Sequence, residues 1–225
     1  MATSSSTDYS ITAREVIDFA LKKTNLLARG QTANGDIAAD AMTELNLMLK
    51  GWLKHDSIWR LTEASLTPTA STASISMTST NPYRVVDARF RGTDGYDIPM
   101  MELTRTEYYD IPNKTATGTP TQWYFDPQRA TSTLYIWPVL SSVTTQTIRV
   151  TYQRRHEDID DLANDIDVPQ DHLEVVGYNL AARLADSFGK RGPHVDRIIA
   201  RAESLLNEVL DADRPEVIRF VPERR

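Results

Sequence analysis

Three runs near the middle of the chain decide its fold: Gly118-Thr-Pro120-Thr-Gln-Trp123-Tyr-Phe125-Asp126, then Leu134-Tyr-Ile136-Trp-Pro138, then Ile148-Arg-Val150-Thr-Tyr152. Each is short, rich in aromatic and β-branched residues, and closed by turn residues, which is the pattern of a strand. Alternation places Trp123 and Phe125 on one face and Tyr124 on the other; Tyr135 and Trp137 share a face. A stacking platform for sugars or bases is one use of such aromatics. The core of a β-module is the reading that their apolar neighbours favour.

Working outward, the whole stretch from Leu61 to Tyr152 is rich in Thr, Ser and Pro. Strand-like runs occur at residues 62–67, 74–78, 85–91, 96–99, 121–125, 134–137 and 147–152. Thr93-Asp94-Gly95 reads as a hairpin turn. Thr104-Arg-Thr-Glu107 has capping-box spacing inside a possible short helix at 101–109. Turn signals this frequent predict an antiparallel sandwich or small barrel.

Both flanks are helical in texture. Thr12 and Glu15 form a capping box ahead of Ala13, Val16, Ile17, Ala20, Thr24 and Leu27, predicting a helix over residues 12–28 that stops near Gly30. Asn34-Gly35-Asp36 opens a second helix to about His55, with Ile37, Ala41, Leu45, Met48, Leu49 and Trp52 as its stripe. Trp52 and Trp59 are expected to cap the helices against the β-module. After the module, Asp167-Val-Pro-Gln170 reads as a cap for a third helix carrying Leu173, Val176, Leu180, Leu184 and Phe188, ended by Gly189. Pro193 opens the last helix, with Val195, Ile198, Ile199, Ala202, Leu205, Leu206 and Val209 inward.

The expected fold class is therefore α+β. A four-helix body, two N-terminal and two C-terminal helices, carries an inserted antiparallel β-module and an extended C-terminal arm. The expected divisions are a flexible N-terminus at 1–11, the first half of the body at 12–60, the β-module at 61–156, the second half at 157–213 and the arm at 214–225.

Composition narrows the function. The chain has 225 residues, a formal net charge of -6 and no cysteine. The acidic balance argues against a surface built to grip nucleic acid. Without cysteine there is no disulfide framework, thiolate nucleophile or Cys-based metal site. No signal peptide or membrane span is legible, so a soluble, cytoplasmically made chain is expected. His55, His156, His172 and His194 do not pair at metal-ligand spacing, and no HExxH, GxSxG, P-loop or GxGxxG motif occurs. No catalytic residue, cofactor or metal ligand is assigned.

Two segments remain as functional candidates. The tail runs Arg214-Pro-Glu-Val217-Ile218-Arg219-Phe220-Val221-Pro-Glu-Arg224-Arg225. Its prolines favour an extended path, and its apolar side chains suggest docking on a partner rather than plain disorder. The second is acidic: Glu157, Asp158, Asp160, Asp161, Asp165 and Asp167 lie together with no Lys or Arg among them. Calcium would need a ligand spacing and a glycine that are missing. A solvated loop is the ordinary reading. In a ring, the same loop could line a pore and repel DNA phosphates.

With these pieces in order, the chain resembles the head–tail connector (adaptor, or tail accessory factor) proteins of tailed bacteriophages. The matching pieces are Gly118-Thr-Pro120 with Trp123-Tyr-Phe125-Asp126, Leu134-Tyr-Ile-Trp-Pro138, Ile148-Arg-Val-Thr-Tyr152, Asp167-Val-Pro-Gln-Asp171 with Leu173, and Tyr178-Asn-Leu-Ala-Ala-Arg-Leu184. The N-terminal helix pair fits as well. Pro138-Val139-Leu140 departs from the Pro-x-Pro usual there. The resemblance implies a ring, usually a dodecamer, docked under the portal protein, with DNA passing through its lumen without sequence recognition. It implies a downstream tail or head-completion partner, a place in the virion at the head–tail junction, and no membrane. It further implies that Val217, Ile218, Arg219, Phe220 and Val221, with Arg224 and Arg225, meet the portal. A small cell-wall glycoside hydrolase using two carboxylates, or a carbohydrate-binding module of a tail, are the alternatives.

Overall fold

A computed structural model of the chain describes residues 9–54 and 58–212. The chain divides into two units, one formed by everything up to Trp59 together with everything from His156 onward, the other by Arg60–Arg155. The fold is α+β; among the described residues, helices occur in both units and the strands lie in the second.

The first unit holds α1 (Ala13–Lys23), α2 (Gly35–Gly51), α4 (Leu173–Ser187) and α5 (Pro193–Ala212). The Thr12–Glu15 capping box forms: the Thr12 hydroxyl accepts from Glu15 N at 3.3 Å and a Glu15 carboxylate oxygen accepts from Thr12 N at 2.9 Å. α1 is shorter than expected, ending at Lys23 rather than near residue 28. There the Thr24 hydroxyl donates back to the Ala20 and Leu21 carbonyls, and Asn25 takes a left-handed φ of 55°. Local side-chain bonding of this kind competes with helix continuation. Asp18 is buried and accepts from Ala33 N at 2.9 Å, fixing the return loop to α2. Asn34 caps α2 by accepting from Ile37 N at 3.0 Å.

α4 is the centre of this unit, packing against α1, α2 and α5. Its apolar side chains Val176, Leu180, Ala181 and Leu184 meet Val16, Ile17 and Leu21 of α1 and Leu45, Met48 and Leu49 of α2 in one core. Gly177 lets Phe19 approach to where a Cβ would sit 2.7 Å from the ring. The expected Asp167–Gln170 cap is corrected. A short 3-10 turn, Gln170–His172, leads into α4, and neither start carries a side-chain cap; Asp167 instead accepts from Glu157 N at 3.0 Å. The helix ends in a Schellman arrangement, with Lys190 N donating to Ala185 O at 2.7 Å and Gly189 at φ 63°. Phe188 and Ile199, expected inward, are each 39% exposed.

The second unit is a sandwich of two four-stranded sheets. One has the order β1 (Leu61–Leu66), β8 (Thr147–Gln153), β3 (Arg84–Arg91), β4 (Asp97–Pro99) and is antiparallel throughout. The other runs β2 (Ser74–Ser76), β7 (Thr133–Trp137), β6 (Gln122–Asp126), β5 (Met101–Glu102). Here the wholly antiparallel expectation is corrected: β5 pairs parallel with β6, Met101 opposite Gln122. Residues 101–102 are strand, and the helix α3 (Arg105–Asp110) starts after them, behind the Thr104–Glu107 capping box. The core between the sheets contains Trp123, Leu134, Ile136, Phe90, Ile148 and Val150, and Trp123 is 2% exposed.

Alternation sends Tyr124 and Tyr135 to the opposite face, where α3 covers them. Tyr124 stacks on Tyr135 with ring centroids 5.9 Å apart and on Tyr108 of α3 at 5.5 Å. Burial pushes all three phenols upward from their ordinary pKa, so they stay protonated at neutral pH. Trp137 is half-buried and donates to Asn113 O at 2.9 Å.

Candidate functional site

The acidic segment is the sequence-predicted site that the described residues contain. It is not a loose strand of charge. Ile159 and Ile166 are buried in the helical core, with Leu162 and Val168 packed against it. The carboxylates alternate with these anchors, so the apolar side chains go in and Glu157, Asp158, Asp160, Asp161 and Asp165 stay exposed.

The backbone of the segment is held from two sides. Asn46 of α2 brackets Ile159, donating to its carbonyl at 2.8 Å and accepting from its N–H at 3.0 Å. Near the start of α1, Ala13 N donates to Asn164 O at 2.9 Å and Arg14 N to Leu162 O at 3.0 Å. The first turn of a helix has N–H groups with no partner in the helix, and the loop supplies carbonyls to two of them. Thr12 and Asp165 add an isolated bridge.

Several of the acidic side chains are used locally. Asp161 accepts from Ala163 N at 2.8 Å and Asp160 from Asn164 Nδ2 at 2.6 Å, both turn-forming bonds. Lys50 of α2 reaches Asp158 at 2.6 Å and also donates to the His156 carbonyl. Glu157 and Asp165 line one polar recess with Asp158, Asn164 and Asp167. Among the described residues, no group of three or more His, Asp or Glu is placed to hold a metal ion.

A second feature of the helical unit joins residues far apart in sequence. Trp59 lies 5.3 Å from the His156 ring and 6.1 Å from the His172 ring, centroid to centroid. These three, with Trp52, Val175 and Leu206, line a cavity of about 20 Å³. That is room for roughly one water and no more. Sequence reasoning did not join these residues, because nothing local in the chain links Trp59 to His172. Nor did it single out Asn46 and Lys50, which hold the acidic loop. A polar residue at the edge of an otherwise apolar helix stripe was the available signal for Asn46.

The portal-facing residues expected from the resemblance, Val217, Ile218, Arg219, Phe220, Val221, Arg224 and Arg225, lie outside the described residues. Among the described residues, no helix is long and apolar enough to cross a membrane.

No protein-family model and no curated protein matches this chain. Solved structures do. One is the neck of an empty GTA particle computed with C6 symmetry: 13% sequence identity, TM-score 0.30, covering 84% of this chain and 93% of that chain. Another is the neck of a native GTA particle computed with C12 symmetry, at 13% identity and TM-score 0.28, with the same coverage.

Proposed function

We propose that this chain is a non-enzymatic subunit of a phage head–tail connector, a ring that docks under the portal, extends the DNA channel and offers a platform for the tail. The observation that carries the reading is the path of the chain. A helical unit built from both ends has a β-sandwich inserted at Trp59–Arg60 and left at Arg155–His156, and the connector-like motifs of the sequence fall on it in the connector order.

The mechanism is geometric. Helical units pack side by side around an axis, and the sandwich presents surface to the next component. The acidic loop, held rigid by Asn46 and α1, faces the lumen and repels DNA phosphates, so the duplex slides without sequence recognition. The arm at 214–225 orders on the portal and adds affinity when it does so. The proposed partners are other copies of the chain, the portal protein, a downstream tail or head-completion protein, and DNA in transit. The place is the head–tail junction of the virion.

The carbohydrate-binding alternative draws no support from the aromatics. Trp123 is 2% exposed, Tyr124 and Tyr135 are stacked beneath α3, and Trp137 is half-buried with its indole N–H bonded to Asn113 O, so Trp123 and Trp137 do not form an exposed pair for a sugar.

Deleting residues 214–225 tests the docking step. The truncated chain should keep its circular dichroism spectrum and lose binding to purified portal rings. Full binding by the truncated chain would remove the arm from the mechanism.

A further inference from the structure

The outer face of the β1-β8-β3-β4 sheet carries arginines in an unusual arrangement. Arg89 of β3 sits directly opposite Arg149 of β8, and Arg91 follows on β3 opposite Thr147. Like charges directly opposed on neighbouring strands destabilise a sheet unless something counters them.

Two of the three arginines are countered inside the sheet. Arg89 donates to Glu63 at 2.8 Å and to the Thr151 hydroxyl at 3.2 Å, and its Nε lies 3.1 Å from an Asp87 oxygen. Arg91 grips Asp97 through two bonds of 2.7 Å. Arg149 differs. Its Nε, like that of Arg89, is shut off from solvent, but its guanidinium makes no ion pair or hydrogen bond among the described residues. Asp97 is near enough to feel the Arg149 charge, but both Asp97 oxygens are taken by Arg91.

We propose that Arg149 marks a contact between subunits, and that its partner is the acidic loop of a second copy of this chain. The proposal rests on the ring reading above and says which surfaces meet. Charge complementarity picks the occupant. Glu157 and Asp165 line one recess, both are exposed, and neither side chain is engaged within the described residues. A guanidinium fits between two carboxylates with charge-assisted bonds. Asp158, Asp160 and Asp161 are left to face the lumen. The two patches are different surfaces, so the contact is heterologous, the kind that builds a ring when its rotation closes. Glu63 and Asp87 answer Arg89, and Asp97 answers Arg91, so this face leaves one guanidinium to fill rather than the continuous basic stripe that a phosphate backbone follows.

The absence of cysteine makes the test clean. Full-length Arg149→Cys and Asp165→Cys proteins are mixed without portal and treated with a short bismaleimide. A cross-linked pair should form about tenfold faster in the mixture than in either protein alone. Equal rates would overturn the contact. In sedimentation, Arg149→Glu should weaken self-association about tenfold, and mixing it with Asp165→Arg should restore it. If Arg149→Glu instead leaves self-association intact and abolishes duplex DNA binding, the arginine serves phosphate and the proposal fails. Portal binding is scored separately. Its absence alongside intact cross-linking would sink the connector reading and leave this contact standing.

Discussion

Asn46 and Ile159 exchange two hydrogen bonds across 113 positions of sequence: the Asn46 amide donates to the Ile159 carbonyl at 2.8 Å, and the Ile159 N–H donates to the Asn46 carbonyl oxygen at 3.0 Å. A side-chain amide here closes the backbone of a segment that has no regular ladder of its own. Replacing it with Ala leaves a half-buried N–H and C=O without partners. Asn46→Ala should cost about 1–3 kcal/mol, read as a lower urea midpoint. Hydrogen exchange should show the Ile159 amide losing protection first. A variant with wild-type stability and exchange would mean that the bracket is incidental.

Gly177 tests the packing of α4 on α1. A Cβ there would sit 2.7 and 2.8 Å from two ring carbons of Phe19. The ring cannot swing away freely, because Tyr178 meets it edge-on at 5.9 Å and Lys23 lies over it at 5.0 Å. Gly177→Ala should destabilise by about 1–3 kcal/mol through overpacking, despite the better helix propensity of Ala. The double variant Gly177→Ala/Phe19→Leu should recover part of the loss in the same denaturation assay.

The sandwich core makes a size prediction. Trp123 is buried between the sheets, and its indole N–H donates to the Met100 carbonyl at 3.3 Å. Trp123→Ala should cost about 3–5 kcal/mol. Loss of near-ultraviolet dichroism and of β signal, with the helical signal retained, would locate the damage in the second unit.

Acid should weaken the two capping boxes. Hydrogen bonds from the Thr12 backbone and hydroxyl hold the Glu15 carboxyl below its ordinary pKa, and Thr104 does the same for Glu107. The Arg91 guanidinium lowers Asp97 likewise. A depressed folded-state pKa means that the unfolded chain binds more protons on the way down. The contribution is therefore present above about pH 4 and lost as pH falls through the lower folded values. Thr12→Ala and Thr104→Ala should each reduce stability at pH 7, with the difference from wild type shrinking by pH 3. A difference that stays constant with pH would show that the carboxylates add nothing to the caps.

Neutralising the acidic loop separates stability from function. Asp158 gives up one ion pair with Lys50, whose partner side chains are 80% and 35% exposed. Such a pair is worth less than about 1 kcal/mol. An asparagine oxygen can still accept the turn bonds from Ala163 N and Asn164 Nδ2, so Asp158→Asn with Asp160→Asn and Asp161→Asn should fold with at most a small loss, while changing how particles retain DNA. Unchanged retention would return the loop to an ordinary solvated surface.

Local rules were legible where a few neighbouring residues decide the outcome. The capping boxes at Thr12 and Thr104, the Asn34 cap, the Gly189 stop and the two faces of Trp123 and Tyr124 all depend on spacing within a turn or a strand. What depended on distant partners was not legible. β5 is two residues long and parallel to β6, so no alternation could reveal it. Thr24 and Asn25 ended α1 early through bonds that compete with the helix. Asp167 could have capped α4, but a backbone N–H at Glu157 claimed it. The acidic composition of the loop was plain from the sequence; its anchoring by Asn46, and the opposition of Arg89 to Arg149, required the register of the folded chain.

Electron microscopy of the full-length protein mixed with purified portal rings tests the central claim most directly. The connector account predicts a ring of density added on one face of the portal, coaxial with its channel, and lost when residues 214–225 are deleted. Bare portal rings at saturating protein, together with peptidoglycan turnover abolished by a single Glu or Asp substitution, would contradict it.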